Sequence, residues 1–389
     1  MDPLPTGRPE MKITEIKCHL HSGTFSDLIF VEVRTEQPEL VGWGECTLPG
    51  KPYAVAGAVK DAARLIIGRN ATNIRSLWET VYRHGYWRGG AVETSALSGI
   101  DIALWDIAGK IAGVPVHQLL GGALRTSMRT YANIGLSSDP DELAKRATAA
   151  IADGFTVVKF YPLPPMIAQP PARLANQVYD CCAAVRAAIG PERDFAIDLH
   201  GRPLPHAVIA IERAVRDLRP LWIEEPTPVE DEEALLAVRR KFSTPIALGE
   251  RLFTRWQFRR VMEAQLCDII QPDVGNAGGI SELRILADMA EAHSVVFSPH
   301  SPNAILHTAA SLQVAAIAQT FGALEFRPSP DTRSGVFTTP DSLKGGPGAF
   351  SLPIASGLGI GVHPERCHLD PSRIPVLAEV APDGTPLDW

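Results

Sequence analysis

From about residue 129 onward, the chain alternates short apolar runs with longer segments of helical period. The runs hold four to seven residues and are rich in branched or aromatic side chains, which is typical of buried strands. In chain order they read RTYANI, TVVKFY, DFAIDLH, LWIEEP, PIALGE, IIQPDV, VVFSPH and ALEF. Segments such as DPDELAKRATAAIADGF lie between them, with the acidic residues near the start that helix N-termini favour. The alternation predicts an α/β fold in which parallel strands form a barrel.

Polar residues stand at or near the ends of these runs. The first three are spaced 26 residues apart, and the next three follow at intervals of 23, 27 and 25 residues. In chain order they are Asp198, Glu224, Glu250, Asp273, His300 and Glu325. Each interval holds one strand and one helix, and the ends of successive strands meet at one mouth of a closed barrel. We therefore expect these six side chains to be neighbours in space.

The first three of these residues form an all-oxygen ligand set. Carboxylates suit Mg²⁺, which keeps positions for water and substrate oxygens, whereas zinc would want histidine or thiolate. Asp198, Glu224 and Glu250 are therefore candidate Mg²⁺ ligands. The competing interpretation is that each acid only caps the helix that follows its strand.

Composition narrows the class of protein. The 389 residues are 45% hydrophobic and 21% charged, which allows one large domain and a smaller one. The net charge of −7 offers no general attraction to nucleic acid or to an anionic membrane, so we expect neither as a partner. The six cysteines lack a CxxC pair, and no apolar run approaches the ~20 residues of a membrane span. We expect a soluble cytoplasmic protein with free thiols.

Several motifs together resemble a known family. AIDLHGR, LWIEEPTPVE, PIALGERL, IIQPDVGNAGGI and FSPHSP are similar to the ordered barrel motifs of the enolase superfamily, in its mandelate racemase subgroup. Within that subgroup they most resemble the acid-sugar dehydratases of the galactonate dehydratase type. Upstream, VGWGECTLPG and YWRGGAVETSALSGIDIALWDIAGKIAGVPVHQLLGG resemble the capping domain of the same family.

The resemblance implies a domain organisation. It places a modified TIM barrel, (β/α)7β-like, over residues 126–361 and an α+β capping domain over residues 9–125. The segment 362–389 returns to complete the cap, and residues 1–8 form a disordered extension. We also expect a homo-oligomer.

For the acids and the histidine of the barrel, the resemblance implies roles. Asp198, Glu224 and Glu250 hold the metal, and His300 is the base that takes the α-proton of a sugar acid. Histidine suits this role because it titrates near neutral pH. Asp273 holds the other ring nitrogen of His300 and raises its basicity. A structural histidine is the competing interpretation.

Glu325 resembles the acid that donates a hydrogen bond to a substrate carboxylate. That role requires a protonated side chain, hence a pKa raised by burial or by nearby negative charge. A packed, solvated or ion-paired glutamate is the competing interpretation.

Two further residues bear on how the hydroxyl would leave. In an extended chain, residues two apart face the same side, so His200 should share a space with Asp198 and could donate a proton to the departing β-hydroxyl. Alternatively, His200 only bonds to the Gly-Arg turn that follows. On the second strand, Tyr161 could donate a hydrogen bond or protonate a leaving group.

The second strand also separates racemisation from elimination. Racemases of the family carry Lys-x-Lys there, whereas this chain has Lys159, Phe160 and Tyr161. With an ordinary pKa of ~10, tyrosine is a poor base, so exchange of the α-proton between two bases is disfavoured. Lys159 could attract the substrate carboxylate, or it could be a surface or structural residue.

The cap should supply specificity. Tyr53 and Arg88 could reach sugar hydroxyls or a second carboxylate, or they could be ordinary surface groups. The expected function is Mg²⁺-dependent dehydration of an aldonate or aldarate to a 2-keto-3-deoxy acid through an enediolate. The alternatives are a racemase or epimerase of a 2-hydroxy acid, a mannonate-type dehydratase, and a carbohydrate-binding protein with decayed catalysis.

Overall fold

The chain folds as an N-terminal α+β unit followed by the expected alternation of strands and helices. A computed structural model describes residues 10–24, 26–163, 170–228, 230–327, 335–340, 343, 348–373, 380 and 384–386. The extension expected over residues 1–8 lies outside the described residues. The N-terminal elements are β1 (Ile13–Ser22), β2 (Asp27–Thr35), β3 (Val41–Glu45), α1 (Pro52–Ile66), α2 (Ile74–Arg83), α3 (Ala91–Ala112) and α4 (Val116–Leu119).

The barrel follows, and the elements after it are short. In chain order the barrel holds β4 (Ser127–Leu136), α5 (Pro140–Ala152), β5 (Val157–Tyr161), α6 (Pro171–Ile189), β6 (Asp194–Asp198), α7 (Pro205–Val215), β7 (Ile223–Glu224), α8 (Glu232–Arg239), β8 (Ile246–Leu248), α9 (Thr254–Glu263), β9 (Ile269–Ile270), α10 (Gly279–Ala292), β10 (Val296–Phe297), α11 (Ile305–Ala315) and β11 (Leu324–Phe326). The short strands β12 (Phe337–Thr338), β13 (Ala349–Ser351) and β14 (Gly361–Val362) come last.

The barrel strands lie side by side in chain order. From β4 to β10 every strand pairs in parallel with the next, and β11 returns to pair in parallel with β4. The two edges also meet, because Phe297 forms a parallel bridge with Phe321 and Gly322 N donates to Phe297 O (3.0 Å). The expected modified TIM barrel with an N-terminal cap is confirmed. All eight predicted runs are strands of this barrel.

Helix α5 shows how the local sequence sets the barrel helices. Asp139 precedes the helix, and its side chain accepts hydrogen bonds from the backbone N–H groups of Asp141 and Glu142. Pro140 stands in the first turn, where its missing N–H costs nothing. The buried side chains of the helix, such as Leu143 and Ala147, join the core between the barrel and its helices.

In the cap, the long helix α3 packs closely against β3. A side chain at Gly42 or Gly44 would overlap the backbone oxygens of Ala103 or Gly99, so only glycine permits this approach. Because strand residues alternate between faces, Trp43 and Glu45 point to the opposite side of β3. Glu45 thereby faces the barrel.

The C-terminal segment returns to the cap. Ser22 N donates to His368 O (2.8 Å), and Asp370 N donates to Ser22 Oγ (2.9 Å). Arg373 donates to Gly23 O (3.2 Å) on the same loop. These contacts tie the end of β1 to residues 368–373. The domain limits predicted from the sequence remain predictions.

Across the described part of the chain, none of the helices is both long enough and apolar enough to span a bilayer. All six cysteines are free.

Candidate active site

The interior of the barrel has an apolar layer with a polar layer above it. Alternate residues of each strand point inward, so the two layers come from positions two residues apart. The apolar layer is a buried cluster of Tyr131, Val157, Ala196, Trp222, Ala247, Ile269 and Ala323. Two residues further along six of these strands stand the buried polar residues Asn133, Lys159, Asp198, Glu224, Gln271 and Glu325. The polar layer therefore lies toward the carboxyl ends of the strands, where active sites of this fold occur.

Three carboxylates converge at the edge of this layer. Asp198 and Glu224 end β6 and β7, and Glu250 lies just beyond β8. Each offers one oxygen, and the three oxygens lie within 4.8 Å of one another. Burial and the charge of Asp198 raise the pKa of Glu224 to about 7, and burial raises the pKa of Glu250 well above its ordinary value. An all-oxygen set with this unfavourable charge density fits a hard divalent cation. The three residues form a candidate divalent-metal site.

Neighbouring groups orient both oxygens of Glu224. Trp222 Nε1 (2.9 Å) and Gln271 Nε2 (2.8 Å) donate to Oε2, while the Lys159 ammonium contacts Oε1. Trp222 and Gln271 are not among the site residues predicted from the sequence. Their signal is positional, because each stands two residues before a residue that was singled out, Glu224 or Asp273, and so faces the same space.

Lys159 lies inside the carboxylate cluster. Its side chain is fully buried, and its Nζ is 3.0 Å from Glu325 Oε1 and 3.5 Å from Asp198 Oδ2. The alternative of a surface lysine is therefore wrong. Burial lowers the pKa of this ammonium, but Glu224 and Glu325 more than offset burial, so the pKa lies above its ordinary value. Lys159 carries a fixed positive charge at the centre of the site.

His300 and Asp273 are in direct contact. Both lie in loops just beyond their strands, with His300 Nδ1 2.8 Å from Asp273 Oδ2. Although burial raises the pKa of Asp273, His307 and His300 lower it far below its ordinary value, so Asp273 is ionised. The other ring nitrogen of His300, Nε2, faces the site, 3.3 Å from Glu250 Oε2. Burial lowers the pKa of His300, but Glu325, Glu250 and Asp273 outweigh it and raise the pKa to about 10.

The contacts of Glu325 oppose the expected protonated state. Burial raises its pKa, but Lys159 and His300 outweigh burial and bring the pKa down to about 2. The carboxylate accepts hydrogen bonds from Asn133 Nδ2 (2.7 Å) and Ser301 N (3.1 Å). Glu325 is thus an ionised acceptor, and the ion-paired alternative describes it. The sequence did not show that Lys159 would be its partner.

His200 and Asp198 are neighbours, but for a different reason from the one expected. Strand β6 ends at Asp198, and His200 lies in a turn with a φ of 50°. His200 N donates to Asp198 Oδ1 (2.8 Å), and its Nε2 lies 3.6 Å from Oδ2. The His200 ring also lies against Tyr161, with ring centroids 4.2 Å apart. The turn, and not strand alternation, brings the imidazole to the site.

Burial shifts the pKa values of His200 and Tyr161 in opposite directions. Burial lowers the pKa of His200 to about 3, with Arg202 and Lys159 adding to the effect, so its imidazole is neutral at pH 7. Burial raises the pKa of Tyr161 well above its ordinary value, so the phenol keeps its proton. Tyr161 Oη accepts a hydrogen bond from Asn133 Nδ2 (2.9 Å).

The structure places the two candidate specificity residues in the cap, at two different positions. Tyr53 stands at the start of α1 and is 57% exposed. Arg88 lines a cap cavity of about 640 Å³ with residues of α1, α2 and α3, and no barrel residue that the structure describes is part of its lining. Their predicted contact with substrate remains a prediction.

A second histidine also contacts Asp273. His307, on α11, has its Nε2 2.7 Å from Asp273 Oδ1. The sequence analysis did not single out His307, which lies seven residues after His300. Only the packing of α11 against the barrel mouth shows this contact.

Family comparisons cover most of the chain. Residues 142–366 match the family described as enolase C-terminal domain-like. Residues 7–121 match the mandelate racemase / muconate lactonizing enzyme, N-terminal domain.

Individual proteins are similar over most of their length. A D-galactonate dehydratase of Ralstonia nicotianae is 39% identical over 74% of this chain and 74% of its own. A D-galactonate dehydratase of Xanthomonas euvesicatoria is 38% identical over 78% of each. Among solved structures, a member of the enolase superfamily from Salmonella Typhimurium has a TM-score of 0.85 at 27% identity, covering 91% of this chain and 97% of that one. The 3,6-anhydro-D-galactonate cycloisomerase from Zobellia galactanivorans has a TM-score of 0.82 at 26% identity, covering 91% and 98%.

Proposed function

Because this chain belongs to the mandelate racemase / muconate lactonizing enzyme family of the enolase superfamily, we propose that it is a Mg²⁺-dependent dehydratase of a sugar acid. The product is a 2-keto-3-deoxy acid. One observation carries the proposal: a cluster of three carboxylates lies directly beside an Asp-His pair, with Glu250 Oε2 3.3 Å from His300 Nε2. A site for a cation and a base for a carbon acid thus share one cavity mouth.

His300 is the base. Ionised Asp273 accepts from Nδ1–H, which leaves Nε2 to accept the C2 proton of the substrate. The surrounding carboxylates hold a proton on His300, with a pKa of about 10. A cation held by these carboxylates would offset their negative charge. The pKa of His300 would then return toward its ordinary range, because a nearby positive charge disfavours the imidazolium. The base and the cation site therefore depend on each other.

Asp198, Glu224 and Glu250 are the proposed ligands of Mg²⁺, which these oxygen donors favour. A bound cation would supply positive charge where the substrate carboxylate takes up the negative charge of an enediolate. The buried ammonium of Lys159 adds a second positive charge on the same side. Lys159 is thus proposed to attract the substrate carboxylate.

His200 and Tyr161 are the proposed donors to the departing C3 hydroxyl. The electrons of the C2–H bond first pass into the enediolate. They then form the C2–C3 double bond as the C3–O bond breaks, and the hydroxyl leaves as water once it gains a proton. Tyr161 retains its phenolic proton at neutral pH and is the proposed source of the proton, while neutral His200 offers an N–H that hydrogen-bonds the departing oxygen. The resulting enol tautomerises to the 2-keto-3-deoxy acid. Glu325, in its ionised state, is proposed to fix the position of Lys159.

Racemisation is disfavoured by the state of Lys159. A second base would have to stand on the second strand, and the ammonium there is held between Glu224 and Glu325 with a pKa above its ordinary value. An ammonium has no free electron pair with which to accept a proton, so in this state Lys159 does not serve as the second base. The contact between His300 and Asp273 weighs in the same way against a protein that binds sugars without catalysis.

The proposal is tested with a panel of four-, five- and six-carbon aldonic and aldaric acids, D-galactonate among them. The purified protein with Mg²⁺ should convert at least one acid to a product that reacts with a 2-keto-acid reagent. The His300→Asn variant should lose turnover by at least about 10³-fold while Mg²⁺ binding stays nearly the same, because the amide cannot accept the proton.

The panel also separates the alternatives. The absence of a keto acid from every substrate would end the proposal. Recovery of inverted, deuterated acid from D₂O would favour an epimerase instead. Binding of an acid without either reaction would favour the carbohydrate-binding alternative.

We further propose a cytoplasmic homo-oligomer. Six free cysteines are compatible with a reducing compartment. The neighbouring Tyr86 and Trp87 are 90% and 87% exposed, which is unusual for large aromatic side chains and favours a contact surface. Light scattering at micromolar concentration should give a mass that is a multiple of the monomer mass. A single monomer mass would contradict the oligomer.

A further inference from the structure

Asp273 is held from both sides by histidines. Its Oδ2 contacts His300 Nδ1 (2.8 Å), and its Oδ1 contacts His307 Nε2 (2.7 Å) and accepts from Gly275 N (2.7 Å). The side chains of Asp273 and His307 are both almost completely buried. Two of the three groups that fix the carboxylate are therefore imidazoles, and only one of them faces the site.

The protons of this arrangement can be assigned from its contacts. Ionised Asp273 can only accept, so each histidine presents an N–H to it. The Nε2 of His307 therefore carries a proton. Its other ring nitrogen, Nδ1, lies 3.1 Å from Ser301 Oγ, a hydroxyl that can donate to an unprotonated Nδ1 or accept from a protonated one. His300 contacts Asp273, Asp273 contacts His307, and His307 contacts Ser301. Because Ser301 directly follows His300 in the chain, these contacts form a closed ring.

The position of His307 is set from outside the barrel. The cap residue Glu45 accepts hydrogen bonds from the backbone N–H groups of Ala304 (3.1 Å) and His307 (3.0 Å), at the start of α11. A carboxylate at this place stabilises the beginning of a helix. Because Glu45 binds the backbone of His307, a change of the His307 side chain leaves these two bonds in place.

We propose that His307 and Ser301 are positioning residues for the reaction, which hold Asp273 so that the Nε2 of His300 is presented to the substrate. This inference rests on the proposed function. Without His307, Asp273 Oδ1 retains only the Gly275 N–H, and the carboxylate is free to rotate away from His300. The His300 ring would then lose the partner that fixes its tautomer and its orientation.

The test compares His307→Leu, which removes the donor, with His307→Gln, which returns an N–H at the position of Nε2. The kcat of His307→Leu should fall about 10–100-fold with KM changed less than about threefold, the usual range for losing a group that orients a reacting side chain. The kinetic isotope effect with a C2-deuterated substrate should rise, because proton abstraction becomes slower relative to the other steps. His307→Gln should recover most of kcat, and Ser301→Ala should show a smaller loss than His307→Leu.

His117→Leu is the matched control. His117 is equally buried, and its Nδ1 lies 3.1 Å from Gln313 Oε1 on the same helix α11, without contact to Asp273. Its removal should lower the melting temperature and leave the kcat of the folded enzyme and the isotope effect unchanged. If His307→Leu only destabilised the fold, it would behave like His117→Leu: its melting temperature would fall, and the kcat of the folded enzyme and the isotope effect would not change.

A second readout does not depend on turnover. In protein labelled with [¹⁵N]histidine, the Nδ1–H of His300 should give a downfield proton signal, assigned by its loss in His300→Asn. The signal should shift or vanish in His307→Leu and return in His307→Gln. An unchanged signal in His307→Leu would overturn the inference, even if no acid of the panel is converted. Unchanged kcat and isotope effect in an active His307→Leu would overturn it while leaving the dehydratase proposal intact.

Discussion

At the residue scale, strained backbone lies one or two residues after two of the candidate metal ligands. His200 and Glu225 have φ values of 50° and 42°, in a region that costs non-glycine residues on the order of 1–3 kcal/mol. Hydrogen bonds hold both: Asp198 Oδ1 accepts from His200 N, and Glu225 accepts from Gly249 N (2.9 Å) and contacts Arg251. The strain lets the chain place His200 toward the cavity and Glu225 away from it.

Glu224 gives the first prediction. Gln271→Leu removes the amide that donates to Glu224 Oε2, so the carboxylate turns more freely and should bind Mg²⁺ about 10–100-fold more weakly. Isothermal titration calorimetry measures the change. Gln313→Leu is the control, because Gln313 is fully buried and pairs with His117 instead of an acid of the site. Equal Mg²⁺ affinities in Gln271→Leu and wild type would contradict the role of Gln271.

At the element scale, the cap is attached to the barrel largely through α3 and the start of α10. Gly278 N donates to Ser98 Oγ (2.8 Å), and Ser281 N donates to Asp101 Oδ2 (2.9 Å). Gly279 has a φ of 81°, and a side chain there would overlap the Asp101 carboxylate. The glycine pair of the NAGGI motif therefore permits a close helix contact, which explains why a loop rich in small residues begins α10.

Asp101 makes this contact sensitive to pH. Burial raises its pKa from 3.8 to about 7 in the folded protein, so folding favours the protonated form. The stabilising effect of that proton is fully present below pH 4 and is lost as the pH rises through about 7. The free energy of unfolding of the wild type should fall between pH 5 and pH 8 by at most about 3 kcal/mol from this group. Asp101→Asn should flatten the decline.

Thermal unfolding of both proteins across this pH range measures the difference. Asp61→Asn, at an exposed position of α1, is the control and should follow the wild type. Parallel curves for the wild type and Asp101→Asn would show that the folded protein keeps Asp101 ionised.

For the molecule as a whole, closure of the barrel determines the function. Eight strands in chain order, among the described residues, bring groups from β4 to β11 to one mouth. Among the residues that the structure describes, the cap adds no ligand to the carboxylate cluster, but Glu45 fixes the helix that carries His307. In the proposed reaction, recognition of the acid end of the substrate would belong to the barrel, and the cap would act on it through the position of α11.

The carboxylate cluster should trade stability for function. Like charges at Asp198, Glu224 and Glu250 oppose folding, so Glu250→Gln should melt at a higher temperature than the wild type in EDTA. With Mg²⁺ the wild type should instead melt at a higher temperature than Glu250→Gln. A ligand that binds only the folded state adds about 2.7 kcal/mol at 100 times its Kd, and the variant binds it poorly.

Scanning fluorimetry with and without Mg²⁺ checks this reversal. Asp61→Asn again serves as the control and should gain as much from Mg²⁺ as the wild type. An equal Mg²⁺ response in Glu250→Gln would remove Glu250 from the proposed ligands.

The sequence by itself determined the alternation of strands and helices, and with it the convergence of Asp198, Glu224 and Glu250. These features depend on local apolar patterns and on a regular spacing, both of which are visible in one chain. The motifs also indicated the family, which the comparisons confirm.

Only the tertiary structure decided the charge and orientation of individual groups. The ionised state of Glu325 depends on Lys159 from another strand, and the second contact of Asp273 depends on a helix that the cap holds in place. The position of His200 depends on a turn that follows its strand. Electrostatic energies and hydrogen bonds change over a few ångströms, so they follow from which distant segments meet and not from the order of residues along the chain.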